Sequence, residues 1–205
     1  MRYRTRDRIN IGIMRFCSFI LFLLFSYTML IAQSIDSQWY SETDNDGIII
    51  QNSFPKGGPY TGPTSKHHNH SYLVFYTRIY NSRKNTVDFK IDFSADSIAI
   101  PDSPDTFVKL FLPQDTMTLD KVPLFSYGIT SLESLDHSTR IHRKLEPQEE
   151  CLFYVVAVFF QTKPGAFNQE RGGNRAELIL QGGNLYYNML PQIDLLSCGE
   201  LTISK

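Results

Sequence analysis

The sequence predicts an all-β fold: a single-domain sandwich of two sheets that follows an N-terminal signal segment. Phe and Tyr, which favour strands, number 15 and 11 among the 205 residues, and 12 Gly and 10 Pro punctuate the chain. Short apolar or alternating runs recur between turn residues, and almost no segment has a helical period. About nine or ten short strands at this spacing are typical of a two-layer sandwich or a barrel.

The individual strands are predicted from alternation and from the turns between them. Residues 86–93 alternate apolar and polar side chains, and residues 72–80 form their hairpin partner. Residues 152–160 are continuously apolar, which indicates a strand that is central in a sheet or buried on both faces. Turn sequences occur at 44–47 and 181–184. The other predicted strands are residues 48–50, 97–100, 107–112, 139–145, 176–180, 185–190 and 201–203.

Two stretches have no clear strand pattern. Residues 55–70 are too rich in Gly and Pro for a regular element, so they are predicted to be a loop. Residues 114–137 are the least regular part of the chain, with one or two helical turns expected over 129–135.

The N-terminus predicts export. Five arginines precede an apolar run from Phe16 to Ala32, which is the pattern of a secretory signal. We predict a signal peptide over residues 1–33, cleaved after Ala32 or Gln33, and a sandwich domain over residues 34–205. Met14 is an alternative translation start. The competing interpretation is an uncleaved anchor, because about 17 apolar residues just span a bilayer.

The charge of the exported part argues against nucleic acid as a partner. Residues 1–33 contain five of the 20 basic residues and one of the 21 acidic residues, so the remainder has 15 and 20 and a net charge of −5. Two of the three cysteines remain after cleavage, Cys151 and Cys198. An even number in an exported chain predicts a disulfide between them, and two separate buried thiols are the alternative.

The sequence resembles uncharacterised secreted immunoglobulin-like β-sandwich proteins of Bacteroidota-type bacteria. The resemblance rests on the hairpin of residues 72–93 and on Leu145-Glu146-Pro147-Gln148-Glu149, which is similar to a Leu-x-Pro-Gly-Glu turn found in such domains. Gln148 stands where that turn has Gly. The resemblance implies a fold and an exported location, and it implies no activity and no site residues.

A cluster of three histidines is the most distinctive candidate for a metal-binding motif in the sequence. His67, His68 and His70 lie within four positions, and neutral imidazoles bind zinc, copper or nickel. No fourth ligand at a fixed spacing is evident, so a solvated polar loop is the competing interpretation. We therefore predict no cofactor, with a transition metal at this tract as the alternative.

Several aromatic residues near turns are candidates for a ligand-stacking surface, and ordinary packing is the alternative for each. They are Trp39, Tyr40, Tyr60, Tyr186 and Tyr187.

The function predicted from these observations is a non-enzymatic binding or structural module in the periplasm or at the cell surface. Its predicted partner is an envelope protein or a glycan, and it meets the membrane only through the signal segment if this stays uncleaved. A hydrolase is the alternative, because distant loops can bring together acid–base groups such as Asp102, Glu133, His137 and His142. The chain contains no Gly-x-Ser-x-Gly and no His-Glu-x-x-His motif.

Overall fold

A computed structural model of the chain describes residues 39–62, 70–101, 103–161, 175–190 and 193–204. These residues form one compact unit that begins at Trp39. The predicted signal segment lies outside the described residues. Twelve strands are present: β1 Trp39–Asp44, β2 Ile48–Ser53, β3 Lys56–Pro59, β4 His70–Asn81, β5 Val87–Phe93, β6 Ile98–Ile100, β7 Ser103–Phe111, β8 Thr139–Leu145, β9 Glu150–Gln161, β10 Arg175–Gln181, β11 Asn184–Leu190 and β12 Ile193–Ile203.

The strands form two antiparallel sheets, which confirms the predicted all-β fold of two sheets. The first sheet has the order β1-β2-β4-β9-β7-β6, with β3 pairing a further part of β4. The second sheet has the order β10-β11-β12-β5-β8. Alternate side chains of both sheets meet in one inner core, which includes Ile50, Phe75, Phe89, Val155, Leu178 and Leu201.

The first sheet is buried on both faces over much of its area. Its outer face is covered by residues 113–138, here called the cover segment, which contains short 3-10 helices at Leu119–Lys121, Phe125–Gly128 and Leu132–Ser134. Successive residues of β9 therefore alternate between the inner core and a second, outer core formed with the cover segment. This explains why β9 is continuously apolar, as the sequence suggested.

Three predicted turns contain residues with a left-handed backbone, and in two of them glycine occupies such a position. Asp46 and Gly47 both have positive φ (55° and 86°) in the turn between β1 and β2, and Gly182 and Gly183 (57° and 87°) do the same between β10 and β11. Gln148 has φ 67°, and the amide of Glu149 donates to the carbonyl of Glu146 at 3.0 Å. Gln148 therefore occupies a left-handed position where the resembling turn has Gly.

Two strands exceed the nine or ten that the sequence predicts. β1 is a polar edge strand, and β3 lies inside the predicted Gly- and Pro-rich loop. In β3, a Cβ on Gly57 would lie 2.1 Å from the carbonyl oxygen of Tyr72, so only glycine allows this approach to β4. The glycine that argued against a regular element is thus what permits the strand.

Candidate functional site

A cleft of about 240 Å³ opens on the outer face of the first sheet, at the end of the sheet where β4 begins and β9 ends. Strands β4, β9 and β7 form its floor, and the cover segment forms one side. Its lining combines apolar and aromatic side chains with a few polar groups, which is typical of ligand sites. The lining residues are His70, Ser97, Lys109, Phe111, Leu135, Asp136, Val158 and Phe160.

The register of the sheet builds an aromatic wall beside this cleft. His70 of β4 lies directly opposite Phe160 of β9, and Phe160 lies opposite Phe107 of β7. Residues paired in this way share a face, so their side chains are neighbours. The amide of Tyr60, just after β3, donates to the carbonyl of His70 at 3.0 Å, which adds a fourth ring. Tyr60, His70, Phe160 and Phe107 are here called the aromatic row.

Within the aromatic row, the rings stack across the strands. The ring centroids of His70 and Phe160 are 5.7 Å apart with an interplanar angle of 22°, and those of Phe160 and Phe107 are 5.4 Å apart at 18°. Tyr60 is tilted against His70 at 6.1 Å. Tyr60 is buried, whereas the other three rings are half-buried and reach the surface.

The polar groups of the cleft differ in how they are engaged. Asp136 lies 2.6 Å from Nδ1 of the adjacent His137. Tyr60 does not line the cleft but lies next to His70, and its hydroxyl is buried without a hydrogen-bond partner among the described residues. Burial, and then the negative charges of Asp136 and Glu133, raise the pKa of Tyr60, so it stays a neutral phenol. The arrangement suits binding, because it offers a hydrophobic wall and a small number of polar anchors.

Sequence reasoning selected loop and turn aromatics and missed Phe107, Lys109 and Phe160, which lie within strands. The signal was available in the strand period: residues 107, 109 and 111 share one face of β7. What the sequence could not supply was the register that sets this face beside Phe160.

The five predicted stacking residues are not brought together. Trp39 packs edge-on against Tyr76 at 5.1 Å, and Tyr40 packs against Phe54 at 5.8 Å. Tyr187 is 1% exposed in the inner core, and Tyr186 is half-buried on the opposite, outer face of the second sheet. Of this set, only Tyr60 lies near the cleft.

The predicted histidine tract is only partly described. His70 begins β4 and belongs to the aromatic row, whereas His67 and His68 lie outside the described residues. Among the residues that the structure describes, no group of three or more His, Cys, Asp or Glu is placed to hold a metal ion. Metal binding at the tract stays a prediction.

The structure differs from the predicted disulfide: Cys151 and Cys198 are both free thiols. Cys151 is half-buried on β9 of the first sheet, whereas Cys198 is buried on β12 of the second and its Sγ contacts the carbonyl of Leu185 at 3.4 Å. Burial raises the pKa of both thiols, that of Cys198 to about 12. Each thiol therefore stays protonated at neutral pH, and both side chains pack in the one inner core between the sheets.

The acid–base groups of the hydrolase alternative lie on different faces. Glu133 and His137 are in the cover segment, whereas His142 lies on the outer face of the second sheet, 2.7 Å from Asp88. Asp102 lies outside the described residues. The structure thus does not bring the three described groups, Glu133, His137 and His142, into one site.

A second, wider groove of about 530 Å³ crosses the outer face of the second sheet. Three of its five ionisable side chains are paired: Lys90 with Glu200 at 3.2 Å, and His142 with Asp88 at 2.7 Å. Mutual pairing of exposed charges is typical of a solvated sheet face, so the cleft is the stronger candidate.

No protein-family model, no characterised protein and no solved structure matches this chain. Within the described part of the chain, no helix has the length and apolar character needed to cross a membrane. The candidate site therefore rests on its own geometry.

Proposed function

We propose that this chain is an exported, non-enzymatic binding module of the cell envelope, built as an immunoglobulin-like sandwich. Its ligand site is the cleft on the outer face of the first sheet. The observation that carries the proposal is the set of three half-buried rings of the aromatic row, His70, Phe160 and Phe107, beside a concave site with a cationic side chain, Lys109. Contiguous partly exposed rings beside a concave site are a feature of binding surfaces.

The immunoglobulin-like assignment draws support from the two antiparallel sheets and from the left-handed Gln148 turn between β8 and β9. Export draws support from the arginines and apolar run before residue 33. The full chain, expressed in a bacterium, should be recovered from the envelope fraction with a new N-terminus after Ala32 or Gln33. A cytoplasmic chain that keeps its first residues would refute export.

Binding at the cleft is tested with Phe160→Ala, which removes the central ring of the aromatic row. The probes are soluble peptidoglycan fragments and short oligosaccharides, with binding measured by saturation-transfer NMR and calorimetry. We expect a saturable ligand whose affinity falls at least about tenfold in the variant, because the ring supplies much of the apolar contact.

The matched control is Tyr186→Ala, which removes a half-buried ring from the other sheet and should change affinity less than about twofold. Both variants are checked for folding by thermal unfolding. Equal loss in the two variants, or unchanged affinity in Phe160→Ala, would place the ligand elsewhere.

A further inference from the structure

The aromatic row stops one strand before the edge of the sheet. Ala99 of β6 lies directly opposite Phe107, so it occupies the next position of the row on the same face. Ala99 is exposed, and β6 is the edge strand of the first sheet. The row therefore has three stacked or tilted ring contacts and then ends at the exposed methyl group of Ala99.

The geometry of the row defines what would fill this position. Neighbouring strands lie about 4.8 Å apart, and the last two rings stack at 5.4 Å with an angle of 18°. A planar ring placed above Ala99 would continue this stack against the half-buried Phe107. The methyl group of Ala99 is small enough to serve as its floor.

A positive charge stands beside this position. Lys109 follows Phe107 by two residues on the same face, about 7 Å along the strand. Among the described residues, no carboxylate lies within ion-pair distance of Lys109. The neighbouring Asp136 is engaged with His137, and the exposed Ser97 adds a hydroxyl to the same cleft. Lys109 and the Ser97 hydroxyl thus line the cleft next to the exposed surface formed by Phe107 and Ala99, two residues that do not themselves line the cleft.

We infer that the cleft and the adjoining surface over Phe107 and Ala99 together take a ligand that carries a planar aromatic ring and a carboxylate a few bonds apart. The ring stacks on Phe107 above Ala99, and the carboxylate accepts hydrogen bonds from Lys109 Nζ and Ser97 Oγ. This inference rests on the proposed function for the cleft and names its ligand class. The chemistry occurs in free aromatic acids and at the C-terminus of a peptide that ends in Phe or Tyr.

Three small probes separate the two features of the ligand. They are 3-phenylpropanoate, its neutral amide, and 3-cyclohexylpropanoate, each titrated into the full chain by NMR. We expect the aromatic carboxylate to bind at least about tenfold more tightly than either of the others. Equal affinity for all three would overturn the inference. Gly-Gly-Phe with a free or an amidated C-terminus then shows whether a peptide end is accepted as well as a free acid.

Two variants locate the ligand. Ala99→Phe places a ring of the protein itself beside Phe107, where the ligand's ring would stack. It should abolish binding of 3-phenylpropanoate while leaving thermal stability unchanged or raised, since cross-strand aromatic pairs stabilise sheets. Thr202→Phe, on an exposed position of β12, is the matched control and should bind normally. Lys109→Met should remove the preference for the carboxylate over the amide and leave amide binding intact. Normal binding by Ala99→Phe, or a retained preference in Lys109→Met, would overturn the inference.

The outcomes also separate this inference from the proposed function. If saccharides bind in a Phe160-dependent manner and none of the aromatic probes binds, the inferred ligand class is wrong, but the proposal that the cleft is the ligand site is supported. If Phe160→Ala changes the affinity of no ligand, the cleft is not the ligand site, and both the proposed function and the inferred ligand class are refuted.

Discussion

Replacing Asn52 with leucine should lower the free energy of unfolding by about 3 kcal/mol. Asn52 is 2% exposed on β2 of the first sheet, yet its side-chain amide pairs with the backbone of β10 in the second sheet. Its Oδ1 accepts from the amide of Leu178 at 2.9 Å, and its Nδ2 donates to the carbonyl of Leu178 at 3.3 Å. Leucine leaves both buried backbone groups unsatisfied, at roughly 1–3 kcal/mol each.

The expected loss of stability is large because the Asn52 side chain makes hydrogen bonds to both sheets. Oδ1 of Asn52 also accepts from the Thr77 hydroxyl at 3.1 Å, and Nδ2 also donates to Ser41 Oγ at 3.2 Å. Ser41→Ala is the matched control, because it removes one of these bonds at a partly exposed position and should cost less than about 1 kcal/mol. Urea denaturation of both variants measures the difference. Similar losses of unfolding free energy in the two variants would mean that the hydrogen bonds between Asn52 and Leu178 contribute little to stability.

The contact between Asn52 and β10 shows why the sequence predicted the individual strands better than the contacts between the two sheets. The alternation of β5 and the turns at Asp46-Gly47 and Gly182-Gly183 are local properties of the chain, and the structure confirms them. The tie between Asn52 and Leu178 joins residues 126 positions apart, and nothing in either neighbourhood signals it. Local periods identify strands, whereas tertiary register decides which polar residues are buried.

The cleft could not be predicted from the sequence for the same reason: it depends on contacts between distant residues. The sequence neighbours of His70 predict a metal ligand, whereas the ring contact that the structure shows for His70 is with Phe160, which lies 90 positions later. The cover segment had the weakest sequence pattern, because its buried residues, such as Met117, Tyr127 and Leu135, are irregularly spaced. They pack onto a finished sheet face, and this requires neither a helical nor a strand period.

Gly199→Ala should be the most damaging single methyl addition in the described part of the chain. Gly199 lies on β12, opposite Ile91 of β5, next to a bulge where Cys198 is the extra residue between the partners of Leu185 and Tyr186. A Cβ at this position would lie 1.9 Å from the carbonyl oxygen of Lys90 and 3.0 Å from the Cα of Ile91. Backbone atoms cannot rotate away, so β12 must separate from β5.

That separation loosens the inner core, where Phe89 and Leu201 pack, and we expect a loss of about 3 kcal/mol or more. In a domain of this size the melting temperature should fall by about 10 °C, measured by differential scanning calorimetry. Gly58→Ala is the matched control: its Cβ would meet nothing closer than 3.6 Å, so the melting temperature should change by less than about 3 °C. Equal losses would show that β12 and β5 have room between them. Because Gly199 lies in the second sheet, the folded variant should still bind the cleft's ligand at low temperature, which separates loss of stability from loss of the site.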